Sequence, residues 1–355
     1  MIRRTHRRRW VLGSIVVLCL AAGVSASFIP SGDVVYEPVA PIELDGKVTI
    51  DGDPADALQG SLYLVGVLER PVSLLDRVLL MRDGDLDFAP APDLPDDGGP
   101  LPEDVASMAL AKRVAAGVAY DLAEPGSVEW SGSGATVAVV ERGGPADGAL
   151  RPGDVITRID GAVVKSAVDA TRTLQALPAG SHVRLGVVRA GHALQPTITT
   201  EPARGHEPGV HSRIGVSVST DDLKISLKHD VSIDSGEVVG PSAGLAFALY
   251  LYDAIVDRDV LQGRYVVASG AIAPDGHVLE VGRIRQKAIA AQHAHRDVIL
   301  VPAANASEAR SAVRDACGSG ESCVEVVPVD SVAEAVALLE LAPEELSKRL
   351  ARDTG

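Results

Sequence analysis

The sequence predicts an α/β (α+β) domain, preceded by a small β-rich module and an N-terminal transmembrane helix. Three observations carry this. Residues Trp10 to Ile29 contain no charged side chain, which is nearly the length needed to cross a bilayer. From about 131 to 202, short alternating apolar runs are broken by turns such as Gly143-Gly144-Pro145 and Arg151-Pro152-Gly153-Asp154, as expected for several short strands. From Arg213 onward, apolar runs of strand length alternate with longer runs of helical spacing, the pattern of a mixed sheet covered by helices. The expected division is 1–30 for a basic tail and membrane anchor, 31–130 for an N-terminal scaffold, 131–202 for the β-rich module and 210–345 for the α/β domain.

Composition bounds the function. The chain has 355 residues, 46% of them hydrophobic, a formal net charge of −15 and a pI near 5.0. That is enough apolar sequence for packed cores, and an acidic body with no basic cluster excludes nucleic acid as a partner. The clustered cations Arg3, Arg4, Arg7, Arg8 and Arg9 directly precede the apolar run. They place the N-terminus in the cytoplasm and the body outside, as a single-pass membrane protein. A cleaved signal peptide is the alternative, with Val24-Ser25-Ala26 as the small-residue site. Both readings put the body in an oxidising compartment, where Cys317 and Cys323, six apart in a Gly/Ser-rich loop, either close a disulfide or remain two thiols. No Cys/His spacing suits zinc, and no cofactor is called for.

In the scaffold region, Lys47 to Ile50 and Ser61 to Leu68 read as strands, and Ser73 to Met81 and Glu103 to Leu122 as helices. The module has strands at Thr136 to Val140, Val155 to Ile159 and His182 to Val188, with a helix at Ser166 to Leu177. The order Gly-Pro-Ala-Asp-Gly-Ala-Leu-Arg-Pro-Gly-Asp-Val-Ile-Thr-Arg-Ile-Asp-Gly from Gly144 to Gly161 closely resembles the middle of a PDZ domain. The resemblance implies binding of an extended polypeptide as an added strand, walled by the Ser166 to Leu177 helix. It places the loop for a terminal carboxylate near Gly132-Ser133-Gly134, although that loop lacks the familiar sequence.

In the α/β part, Gly240-Pro241-Ser242-Ala243-Gly244 is followed at once by the apolar run Leu245 to Ile255, so Ser242 sits where a loop becomes a helix. The first N–H groups there lack intrahelical partners and can hold an oxyanion. An ordinary capped helix start is the bland alternative. Further on, Ser269-Gly270 leads through a Pro274-Asp275-Gly276 turn to Lys287, set among Ala288, Ile289, Ala290 and Ala291. A lysine desolvated by such neighbours has a lowered pKa, and its neutral amine can take a serine proton.

Gly-Pro-Ser-Ala-Gly at 240–244, Ser269-Gly270 and Gly-Arg-Ile-Arg-Gln-Lys-Ala-Ile-Ala-Ala at 282–291 together resemble the proteolytic domain of Lon-type serine peptidases. That resemblance implies Ser242 as nucleophile, Lys287 as general base and Ser269, where threonine is usual, as a support for the lysine amine. With the apolar segment and the PDZ-like module, the whole arrangement resembles the membrane-anchored, PDZ-containing Lon-like proteases of bacteria. It implies polypeptide substrates and the option of a homo-oligomeric ring. No Gly-x4-Gly-Lys-Ser/Thr stretch occurs, so ATP is not expected as a partner. Two other readings are a PDZ scaffold whose proteolytic domain is inactive, and an α/β-hydrolase with Ser242 on a Gly-x-Ser-x-Gly elbow and His277, His293 or His295 as base.

Overall fold

The computed structural model describes residues 27–55, 58–91, 102–203, 211–220, 222–256 and 258–353. The apolar segment expected to span a membrane lies, up to residue 26, outside them. Among the described residues no helix is long and apolar enough to cross a membrane.

The core is a five-stranded sheet in the order Ile42–Glu43, Ser61–Leu64, Tyr265–Ala268, Val298–Pro302, Glu325–Val329. The last four are mutually parallel. Strands buried on both faces are apolar without alternation, and Val298–Pro302 is buried at every position. Side chains still alternate between faces. Leu62, Leu64, Val266, Ala268 and Leu300 join Phe247 and Leu251 of the helix Gly244–Val256 in one cluster. Tyr63, Val65, Val267, Ile299 and Val301 join Ile284, Ala288 and Ile289 of the helix Ile284–His293, and Ala309 and Val313 of the helix Ala306–Ala316, in another. The helix that follows Ser242 and the helix that carries Lys287 therefore cover opposite faces of one sheet.

The expected separation of 31–130 from 210–345 is not how the chain folds. Ser61–Leu64 is an inner strand of the sheet, paired with Tyr265–Ala268 in register Leu62↔Val266 and Leu64↔Ala268. The helix Pro102–Ala123 contributes Met108, Val114, Ala115 and Ala119 to the same cluster as Phe247 and Leu251. The run expected as one strand to Leu68 breaks after Leu64, and Val67–Ser73 pairs instead with Pro30–Pro38.

The β-rich module is an insertion into this body. Glu129–Ser131, which leads into it, pairs antiparallel with Lys224–Ser226, which leads out. Its main sheet runs His192–Leu194, His182–Arg189, Val155–Ile159, Ala135–Val140, Val216–Ser219, so the last strand lies beyond the expected limit at 202. The Arg-Pro-Gly-Asp turn has a clear physical purpose. Buried Asp154 accepts two hydrogen bonds from the Arg189 guanidinium at 2.7 Å and one from the Arg151 N–H at 2.8 Å, and the arginine holds its carboxyl below the usual range.

Because two of the five core strands come from before residue 70, a fragment 210–345 should show no cooperative thermal transition by circular dichroism, whereas a fragment beginning at Ser27 should unfold cooperatively.

Candidate active site

Ser242 lies in a short 3₁₀ turn, Pro241–Ala243, that runs directly into the helix Gly244–Val256. Gly240 before it has φ 87°, a left-handed conformation that glycine adopts without strain, and donates its N–H to the Asp104 carbonyl at 3.2 Å. The serine turn is fastened to the end of the strand Tyr265–Ala268 by two backbone bonds. Gly270 N–H donates to the Ser242 carbonyl at 2.8 Å, and Leu245 N–H to the Gly270 carbonyl at 2.9 Å. A Cβ at Gly270 would stand 2.7 Å from Val278 Cγ1, so the close approach needs glycine.

Ser269 is fully buried. Its N–H continues the ladder to the Leu300 carbonyl at 3.0 Å, while its Oγ has no hydrogen-bond partner among the described residues. A buried hydroxyl left unpaired costs about 1–3 kcal/mol, which marks the position as one built for something other than stability.

Lys287 is 5% exposed and sits in the first turn of the helix Ile284–His293. Desolvation lowers its pKa from 10.5 to about 8, with no carboxylate to restore the charged form. The turn that presents it is braced from the N-terminal region and from further along the chain. The Arg283 guanidinium lies 3.5 Å from the centroid of the Tyr36 ring and bonds Asp87 at 3.2 Å. The Asn305 side chain clasps both backbone groups of Val281, at 3.0 and 3.2 Å. Neither Arg283 nor Asn305 was singled out from sequence, since each acts on partners remote along the chain.

The structure thus brings Ser242 and Ser269 to one loop through Gly270. It places Lys287 in a helical first turn on the opposite face, at the same carboxyl end of the parallel strands where α/β sheets hold their sites. Among the described residues, no hydrogen bond joins the Lys287 amine to either serine. The histidines of the elbow reading stand elsewhere. His277 is at the tip of the hairpin Ala271–Ile272/Val278–Leu279 beside Asp275, and His293 ends the lysine helix, facing Asp85 at 3.5 Å. Cys317 and Cys323 are joined as a disulfide.

A groove of about 1140 Å³ lies between the module and the body. One wall is the helix Ala167–Gln175, through Ala170, Thr171 and Leu174. Along it runs Val216–Ser219, the edge strand of the module. The loop before that strand, Ile214-Gly215, and not Gly132–Gly134, opens the groove. Its far wall belongs to the body, with Val278, Leu279, Ala333 and Ala337. Arg172 pairs with Asp121 of the helix Pro102–Ala123, so the module's helix is tied to the body.

Comparison with known proteins assigns both parts. The family model of the PDZ domain matches residues 115–200, and that of the Lon protease (S16) C-terminal proteolytic domain matches residues 222–340. The Lon protease of Roseiflexus castenholzii is 34% identical over 116 residues, covering 32% of this chain and 14% of that protein. Lon protease 1 of Myxococcus xanthus is 29% identical over 140 residues, covering 38% of this chain and 16% of that protein. The chain therefore spans about one seventh of the length of the Lon proteases it matches. The crystal structure of the PDZ domain of an SdrC-like protein from Listeria monocytogenes is 25% identical and covers 24% of this chain and 86% of that one, with a TM-score of 0.22. Residues 115–200 thus match the PDZ domain, and residues 222–340 the C-terminal proteolytic domain of the Lon (S16) serine peptidases.

Proposed function

We propose that the protein is an ATP-independent serine endopeptidase that cleaves extracytoplasmic or membrane-associated polypeptides with a serine–lysine dyad, Ser242 and Lys287, and recruits them through its PDZ groove. The observation that carries this reading is the buried Lys287 amine, whose pKa falls to about 8 through desolvation alone. A lysine held near neutrality at ambient pH is a general base, and one placed at the same end of the sheet as a serine on a helix N-terminus has a nucleophile to activate.

The chemistry follows from the parts. Neutral Lys287 takes the Ser242 proton as Oγ attacks the peptide carbonyl, forming an ester to the enzyme. The resulting ammonium returns the proton to the leaving amine. Water, deprotonated by the same amine, then attacks the ester carbonyl, and the ammonium returns that proton to Ser242 Oγ as the acyl C–O bond breaks and the second product leaves. The unpaired Ser269 hydroxyl is the group that would accept a hydrogen bond from the ammonium between these transfers. N–H groups of the turn that begins the helix Gly244–Val256 would hold the oxyanion. The span Trp10–Ile29 would anchor the body to the outer face of the membrane, and the free edge of Val216–Ser219 would take a polypeptide as an added strand.

Ser242→Ala should lose about a thousandfold or more of its peptide hydrolysis while keeping the wild-type melting temperature. Lys287→Arg should be as inactive as Lys287→Ala, because guanidinium cannot accept the proton. Wild-type activity on a short peptide should rise through pH 8, and substitution of His277, His293 and His295 by Gln should leave that profile in place. An active Lys287→Arg enzyme that the triple Gln change silences would favour the hydrolase elbow instead.

The same amine sets a pH dependence of stability. Its folded-state pKa lies below the ordinary 10.5, so the native state disfavours the ammonium. The cost is absent above 10.5, grows as pH falls and is complete below about 8. Lys287→Met should therefore raise unfolding stability at pH 7 by about 3 kcal/mol, and urea titrations should show the gain shrinking between pH 8 and pH 10.5.

A further inference from the structure

The helix Leu74–Leu80 is built inside out. It has no buried residue, whereas a helix on a water-facing surface ordinarily turns its apolar stripe to the core. Arg77 holds it to the body, and of its apolar residues only Leu75 and Leu80 are half-buried. Arg77 bonds Asp33 at 2.8 Å and lies 4.3 Å over the Phe88 ring, and Ser73 and Asp76 close a capping box at its start. Leu74, Val78 and Met81, at i, i+4 and i+7, are left facing outward with Leu79, and the last three are 62 to 66% exposed.

What continues this apolar face is the end of the uncharged run Trp10–Ile29. Phe28 and Ile29 are both exposed, and the Ile29 carbonyl accepts the N–H of Leu74, the first residue of the helix, at 2.9 Å. The outward stripe and the last residues of the run are therefore hydrogen-bonded neighbours. Twenty-six residues precede the described structure, and the uncharged run among them leads in sequence directly into Phe28 and Ile29.

We infer that the helix Leu74–Leu80, together with Phe28 and Ile29, is a membrane-surface contact that seats the body on the bilayer crossed by the Trp10–Ile29 run. The inference rests on the reading of that run as a span, and adds to it a second, non-spanning contact that fixes the body's orientation. An interfacial helix buries its apolar face at the boundary between headgroups and acyl chains. Charges of both signs flank this one: Asp76, Arg82, Asp83 and Asp85 stand in the sequence 76–85, and Arg77 is already engaged. The contact is therefore with the lipid interface itself and needs no anionic headgroup.

The test uses the full chain with Cys19→Ser, reconstituted into phosphatidylcholine vesicles that carry a nitroxide on the acyl chain. A bimane probe is placed on Val78→Cys, on Met81→Cys or, as a control far from the stripe, on Val163→Cys; the paired Cys317 and Cys323 do not react. Quenching at 78 and 81 should exceed that at 163 by about twofold or more, unchanged in high salt. A chain that sediments with the vesicles but shows equal quenching at all three positions overturns the seating helix and leaves the span standing. A chain that does not sediment with them overturns both. Cross-linking of the 78 positions of two copies, without quenching, overturns the inference in favour of an interface between copies.

Discussion

An amine carried into an apolar wall with no carboxylate beside it is unstable in its charged form, and the fold is arranged around tolerating that. Lys287 stands on a helix whose neighbours Ile284, Ala288 and Ile289 belong to a cluster shared with two further layers. Its turn is held from outside by Tyr36 and Asp87 through Arg283, and by Asn305 through Val281. Those braces do not touch the amine. They hold the backbone of the turn that carries the lysine, whose burial keeps its pKa low.

The same economy governs the serine side. Gly240 supplies a conformation, Gly270 a close approach, and the two bonds around Gly270 tie the serine turn to the strand that ends in Ser269. Ser242 and Ser269 are thus positioned by backbone, whose geometry varies less than that of long side chains. The lysine, the one flexible member, arrives from the opposite face.

How much of this could be read in the sequence follows from the range of each interaction. Gly-Pro-Ser-Ala-Gly, Ser269-Gly270 and the lysine helix are short contiguous patterns, and the elements around them lie where periodicity placed them. The capping serines before Leu74, Ala167 and Val332 are local signals of the same kind. The pairing of Ser61–Leu64 with Tyr265–Ala268 crosses some two hundred residues, and nothing in the apolar run Ser61 to Leu68 tells which strand it will join. The helix wall of the groove is where the sequence puts it, and only the loop expected at Gly132–Gly134 differs, for a related reason. The groove's edge strand, Val216–Ser219, follows a polar stretch at 205–210 and reads as the start of the next domain, although its hydrogen bonds go back to Ala135–Val140.

The paired strands Glu129–Ser131 and Lys224–Ser226 also have a thermodynamic meaning. Without the folded PDZ domain they would be the ends of a flexible loop of about ninety residues, whose closure costs about 4 kcal/mol of chain entropy. The folded module brings its own ends together and spares the body that loss. Anything that binds and stabilises the module thereby also stabilises the body into which it is inserted, so a polypeptide bound in the groove would act as a folding ligand of the whole body.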